Sequence, residues 1–238
     1  MDGVELCARF SYQPNRLKYC GPKDANKIFL GYIKNGKDKA KAMAAIKKFE
    51  AAYPYLQLIA RKNKKSPFDY DVVEAYWLGN ELLAKVKYGD LKKHILALQK
   101  RGLPKSFAEG LAKKLPRGML PHHLFHVMYV GVGMLTGKVK TTLPNMDQCR
   151  IFPATVLSVG KKLKISYRPL ILCKNKISIG AQKTASIGWS RDFIPEIKVG
   201  DIVAVHWSFA VMKLDDGQII SLHFQLISML LKLAENNS

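Results

Sequence analysis

The chain has 238 residues, of which 48% are hydrophobic and 10% aromatic, a composition that is typical of a folded protein and excludes a disordered one. Its net charge is +21, and residues 1–145 carry most of it, with 27 Lys and Arg against 11 Asp and Glu. Such a charge attracts anions, nucleic acid and acidic proteins among them. The first residues do not form a signal peptide, and the apolar run at 120–135 is interrupted by histidines and glycines. We therefore expect a cytoplasmic protein without a membrane span.

Apolar residues at helical spacing dominate residues 1–145 and predict an all-α domain. Turn signals around Pro14 and Pro22 predict that residues 1–24 form an irregular arm that packs on the helices. Helices are predicted, in chain order, at residues 24–34, 37–53, 55–62, 70–86, 89–101, 106–115 and 122–135. Pro121 is suited to the first turn of the last of these helices.

The pattern changes to that of β-strands after residues 141–147, which we interpret as a linker. Short strands separated by turn residues are predicted at 151–159, 163–167, 171–173, 176–179, 184–189 and 202–207. Apolar positions at helical spacing in residues 218–234 follow Asp215 and Asp216, which favour a helix start. The predicted fold class is α+β: an all-α N-terminal domain (1–145), then a small OB-like β-barrel with a C-terminal helix (146–238).

Two motifs mark the C-terminal part. Cys149 is followed four residues later by Pro153, and a Val-Gly-Asp turn beginning at Val199 leads into an apolar strand that ends at His206. In these motifs the segment resembles the HypC/HupF family of nickel–iron hydrogenase maturation chaperones, over residues 146–238. The helical part is also similar to that of an uncharacterised family in which such a region precedes a barrel of this kind.

The resemblance implies a chaperone whose cysteine thiolate helps to hold an iron carbonyl–cyanide group. It implies metal binding by Cys149, with His206 as a further ligand, iron as the cofactor, and a hydrogenase subunit or a maturation factor as the protein partner. A thiolate is a soft donor that suits such iron, and an imidazole beside it can ligate the metal or orient the thiolate. We therefore expect an accessory protein and not an enzyme.

A second candidate metal site follows Pro121. On a regular helix His122 and His126 are four positions apart, so both imidazoles lie on one face and can chelate one metal ion. His123 would point about 100° away on such a helix, and we expect it, with Glu74 on a preceding helix, to lie beside the metal ligands rather than among them. Polar packing of the histidines and proton transfer are the alternatives.

Two other functions remain open. The lysine-rich surface and an OB-like barrel fit a nucleic-acid-binding protein, although the lysines are also explained as a solvated surface. His122 and His126 fit a metal-dependent enzyme. The sequence contains no Walker motif and no nucleophile elbow, which disfavours the commonest phosphate-binding and hydrolase sites.

Overall fold

In the computed structural model, which describes residues 1–235, helices fill the N-terminal part and strands the C-terminal part. The α-helices are α1 (Gly3–Arg16), α2 (Ala25–Asn35), α3 (Lys39–Lys47), α4 (Ala52–Asn63), α5 (Tyr70–Trp77), α6 (Tyr88–Ala97), α7 (Lys105–Lys113), α8 (His123–Phe125), α9 (Leu143–Cys149) and α10 (Asp216–Glu235). Two 3₁₀ helices, Glu81–Lys85 and Leu98–Arg101, follow α5 and α6. The last three residues of the predicted C-terminal domain lie outside the described residues.

The N-terminal segment is a helix, and the prediction of an irregular arm is wrong for residues 3–16. Asp2 caps α1 by accepting a hydrogen bond from the backbone N–H of Glu5 at 2.9 Å. The turn signal at Pro14 lies in the last turn of α1, where the missing N–H of proline costs the helix one hydrogen bond without ending it. The buried side chains of α1, Phe10 among them, form part of the core.

Further segments differ from the prediction. The helices expected at 37–53 and 70–86 end at Lys47 and Trp77. The helix expected at 122–135 is the single turn α8 followed by a π-helix, His126–Gly131, which ends where Gly131 adopts a φ of 107°. The predicted linker at 141–147 falls largely in α9. Thr142 caps this helix, and a proline occupies its first turn. The expected boundary after residue 145 therefore falls inside α9.

The strands form an antiparallel sheet in the order β5-β2-β1-β6-β7 and a separate hairpin, β3-β4. Their bounds are β1 Phe152–Val159, β2 Leu163–Tyr167, β3 Leu170–Cys173, β4 Lys176–Ile179, β5 Lys183–Ile187, β6 Ile202–His206 and β7 Phe209–Lys213. Strand β7 was not predicted. It pairs with β6 through a two-residue turn in which Trp207 and Ser208 both have positive φ, the geometry that tight hairpins favour.

The fold class is confirmed as α+β, but the five strands do not close into the expected barrel. The two edge strands, β5 and β7, meet only through one bridge between Gly188 and Phe209. A second apolar core fills the sheet and includes Val156, Ile165 and Val205, and Tyr12 of α1 packs against it.

The larger of the two apolar cores contains residues of both the helical and the sheet regions. The cluster that contains Phe10 and Tyr76 also contains Ala204 of β6, Val211 of β7 and Leu226 of α10. Helix α10 is, by length and composition, the one described helix apolar enough to cross a membrane, but the core helix of a soluble protein passes the same test. One face of α10 packs into this core. Near it the end of β6 contacts α1 through His206 and Phe10, the start of α8 contacts α5 through His123 and Tyr76, and Cys149 at the end of α9 lies beside His123.

Candidate metal centre

Three side chains from distant parts of the chain meet at this junction. They are His123 at the start of α8, Cys149 at the end of α9 and His206 at the end of β6. One ligand atom from each, two imidazole nitrogens and the thiol sulfur, lies within 4.8 Å of the other two. Both histidines are buried and Cys149 is half-buried. A soft donor and two imidazoles at this spacing are a candidate site for a transition metal.

The local sequence explains why each ligand points to the centre. His122 caps α8, because its Nδ1 accepts a hydrogen bond from the N–H of Leu124 at 3.1 Å. This cap fixes the start of the helix and with it the direction in which the His123 side chain points. Behind Cys149, Arg150 is held by the carboxylate of Asp147 at 2.8 Å. The N–H of Trp207 donates to the carbonyl of Gln148 at 2.7 Å, which ties the turn after His206 to the end of α9.

His206 is oriented by an unusual feature of α1. Its Nδ1 lies 2.8 Å from the carbonyl oxygen of Phe10, and since a carbonyl only accepts, Nδ1 carries the proton. That carbonyl is free because the residue four positions later is Pro14, which has no N–H to donate. The other nitrogen, Nε2, is buried without any hydrogen-bond partner. A backbone carbonyl that fixes one imidazole nitrogen and leaves the other bare is the usual arrangement for a metal-binding histidine.

His123 is held from two sides. Its Nδ1 is 3.1 Å from the hydroxyl of Tyr76, and its Nε2 is 2.9 Å from the carbonyl oxygen and 3.8 Å from the sulfur of Cys149. With the proton on Nε2 the ring donates to the Cys149 carbonyl and accepts from Tyr76. If the proton moves to Nδ1, the Nδ1–H donates a hydrogen bond to the Tyr76 oxygen and Nε2 is free to bind a metal.

Burial makes all three groups neutral. It lowers the pKa of His123 to about 4 and the pKa of His206 well below its ordinary value, because a charged imidazole would lose its hydration. The same cause raises the pKa of the Cys149 thiol to about 12. Both imidazoles are therefore uncharged at neutral pH, and only His123 must shift its ring proton before it coordinates, whereas the thiol must lose a proton when a metal binds.

A cavity of ≈ 70 Å³ adjoins the three ligands. Its walls include the aromatic rings of Tyr76 and Trp77, the imidazole of His126 and the thiol of Cys20. Since a single water needs about 10–15 Å³ of such space, the cavity holds a few waters or one small ligand. A metal held by three protein ligands would thus have space for another ligand beside it.

The structure brings together two of the four predicted ligands and separates the other two from them. Cys149 and His206 meet, and His123, which was expected only beside the site, supplies the third donor. His122 and His126 do not share a face, because His122 precedes the helix and lines a different cavity, next to Lys232. The Nδ1 of His126 lies 3.4 Å from the Tyr55 hydroxyl, at the wall of the cavity beside the cluster.

The contacts of Glu74 link two helices and do not involve the cluster. Its carboxylate accepts hydrogen bonds from Gln218 of α10 at 3.0 Å and from Asn80 at 3.1 Å. It therefore joins α5 to α10. The residues of α5 that contact the cluster are Tyr76, through its hydroxyl, and Trp77, whose ring lies against those of His123 and His206. Tyr76 and Phe10 were not predicted to belong to the site, and Pro14 was predicted only as part of a turn. Of these three residues, only Pro14 could have been noticed from sequence, as a proline inside a helical pattern.

The comparisons with known proteins identify the family. Residues 1–237 match DUF6390, a family of unknown function. The chain belongs to this family. No curated protein and no solved structure matches it. The match of DUF6390 spans the helical region, α9 and the sheet, so the cluster is assembled entirely within the matched segment.

Proposed function

We propose that this DUF6390 protein is an accessory protein that holds a transition-metal ion, iron, at His123, Cys149 and His206. The observation that carries the proposal is the cluster itself, in which a thiol sulfur and two imidazole nitrogens lie within 4.8 Å of one another. One of the imidazole nitrogens, Nε2 of His206, is buried without a hydrogen-bond partner. A buried polar atom left without a hydrogen bond costs free energy, and a bound metal would remove that cost.

The donors fit iron chemically. A thiolate with imidazoles suits iron as well as zinc, copper and nickel. Metal–sulfur and metal–nitrogen bonds of about 2.3 and 2.0 Å place neighbouring ligands about 3.5 Å apart in a tetrahedral site. The 3.8 Å between His123 Nε2 and Cys149 Sγ is close to this value. Backbone support of His206 and hydroxyl support of His123 are the outer contacts that metal-binding histidines use.

The arrangement of the sheet supports a role related to hydrogenase maturation. The two motifs that resemble HypC are neighbours, because β1 pairs with β6 and Phe152 lies opposite Val205. Each motif also contributes one ligand, Cys149 and His206. The bridge between Gly188 and Phe209 brings the sheet edges towards each other and supports an OB-like arrangement. We propose a cytoplasmic protein that receives or delivers iron in contact with a hydrogenase subunit or a maturation factor.

Metal analysis after anaerobic purification from the native host tests this proposal. We expect about one iron per chain, and at least a 100-fold loss of metal affinity in Cys149→Ser, because a soft ligand is replaced by a poor one. Cys20→Ser, a change at another thiol of the same cavity, is the matched control and should keep the metal. A protein without metal would refute metal binding, and metal that Cys149→Ser retains would refute the site at His123, Cys149 and His206. Purification without a hydrogenase subunit or maturation factor would refute the maturation role alone.

Tyr76 is expected to act as a positioning residue for His123. Tyr76→Phe removes the hydroxyl that supports Nδ1 and should weaken metal binding by about 10–100-fold, the usual effect of losing such an outer contact. The control is Tyr55→Phe, which removes the hydroxyl next to His126 and leaves the three ligands untouched. Competition with a chromophoric chelator measures both affinities. Equal affinities in the two variants would show that Tyr76 does not orient the ligand.

A metal-dependent enzyme is the second candidate. It is favoured by the cavity beside the cluster, since catalytic metal sites combine three protein ligands with one open position. The two candidates differ in what happens to the metal. An accessory protein should transfer its iron to the apo form of its partner, whereas an enzyme should keep it.

A further inference from the structure

Helix α10 has two apolar faces, and only one of them is covered. Leu222, Leu226 and Met229 are less than 8% exposed and pack against the body of the protein. A second stripe on the helix is open: Ile220 is 68% exposed, Phe224 59%, Ile227 52% and Leu231 60%. We call these four residues the α10 stripe.

The α10 stripe is comparable in area to the largest apolar patch on a typical monomer. The exposed parts of its four side chains amount to on the order of 400 Å² of contiguous apolar area, within the range of the largest patch on a typical monomer, which is often functional. Buried in two copies, with the rim around it, this area reaches roughly the 1,000 Å² at which specific interfaces begin.

The spacing of the α10 stripe is self-complementary. Its members are separated by four, three and four positions, the order of apolar positions along the seam of a coiled coil. This order reads the same in both directions. Two antiparallel copies related by a two-fold axis therefore place Phe224 opposite Ile227, and Ile220 opposite Leu231. An isologous contact needs such a surface, which matches itself when turned around.

The small number of Lys and Arg residues on α10 favours a second copy of the chain over an anionic membrane surface as the partner. The chain carries +21 overall, but between Asp216 and Glu235 the only Lys or Arg of α10 is Lys232, whose ammonium lies by Ser228 of the same helix. In the antiparallel register no Lys or Arg of α10 faces another, but Asp216 lies opposite Glu235 at each end, so the apolar pairs between them must outweigh one pair of like charges at either end. A helix that binds an anionic membrane surface carries many Lys and Arg beside its apolar face, and α10 does not.

We propose that the α10 stripe is the interface of a homodimer in which two copies of the chain pack α10 against α10 in antiparallel orientation. This inference does not depend on the metal site. Leu226 and Met229, on the opposite side of α10, keep the helix attached to each protomer.

Sedimentation equilibrium of the full chain tests the dimer. From about 1 to about 200 µM, the range expected for an interface of modest size, we expect the mean mass to rise from that of a monomer towards twice that value. Phe224→Glu combined with Ile227→Glu should remain monomeric throughout. The control is Val199→Glu, which places one such carboxylate at a residue that is 64% exposed but lies before β6, and it should dimerise like the unchanged protein.

Orientation is tested by cross-linking in a Cys173→Ser background, since Cys173 is exposed. Phe224→Cys mixed with Ile227→Cys should form a disulfide between the two variants under oxidised glutathione, and far more than either variant alone. The proposal is overturned if the unchanged protein is monomeric at every concentration, if the double glutamate variant still dimerises, or if a monomer floats with phosphatidylglycerol vesicles through the α10 stripe.

Discussion

Acidification should unfold the metal-free protein between about pH 6 and pH 4. Five of its six histidines are buried, and burial lowers the pKa of each: to about 4 for His94 and His123, to about 3 for His122 and His126, and well below the ordinary value for His206. In the unfolded chain these rings titrate near pH 6.5. Below that pH the unfolded state binds more protons than the folded state, so stability falls as the pH falls.

The size of this effect is large compared with the stability of a domain. Each buried histidine removes about 1.4 kcal/mol for every pH unit between its unfolded and folded pKa, and five act together. Two pH units therefore remove about as much free energy as the 5–15 kcal/mol that holds a typical fold. Bound metal would oppose this loss, because it keeps His123 and His206 unprotonated.

Urea titrations at pH 7 and pH 5, followed by circular dichroism, measure this loss. His223, which is exposed on α10, supplies the control, since His223→Gln should leave the difference between the two pH values unchanged. His94→Gln removes one buried imidazole, whose ring centroid lies 4.2 Å from that of Tyr55, and should reduce the difference. Equal stability at pH 7 and pH 5 would show that protonation of the buried histidines does not control folding.

The fold was predictable from sequence where periodicity and turn residues agree. The apolar spacing of α10 and the alternation in β1 and β2 are local signals, and each gave an element close to its observed bounds. α1 was missed because Pro14 was taken as part of a turn. The burial of Phe10, one helical turn before Pro14, depends on contacts with distant residues, which the local sequence does not reveal. The π-helix after His126 has no signal in sequence spacing, since its geometry depends on the surrounding packing.

The candidate site was predictable only in part for the same reason. Cys149 and His206 were found through the resemblance of their motifs to HypC, and neither the spacing nor the composition of the chain joins them to His123. His122 and His126 were paired on the assumption of a regular helix that starts at His122, but α8 starts one residue later and continues as a π-helix from His126. The protein partner and the nucleic-acid surface stay predictions, because neither depends on a contact within the described chain.

Metal affinity should rise about ten-fold for each pH unit between pH 6 and pH 9, or about a thousand-fold over the range. Binding must displace the proton of the Cys149 thiol, whose pKa is raised to about 12 by burial. His123, whose pKa is lowered to about 4, is already neutral over this range and releases no proton to the solvent when its ring proton moves from Nε2 to Nδ1. One proton released per metal gives a slope of one in the logarithm of affinity against pH.

Competition with a chelator at several pH values gives this slope, and calorimetry in two buffers of different ionisation enthalpy counts the proton directly. Cys149→Ser should bind weakly and almost independently of pH, because serine does not give up its proton in this range. Cys20→Ser should keep the slope, since the remaining thiol at the cluster is still Cys149. If the slope disappears in Cys20→Ser and persists in Cys149→Ser, the metal is held by the other thiol of the cavity. If the unchanged protein shows no slope at all, no thiol binds the metal, and the cluster of two imidazoles and one thiol is not its site.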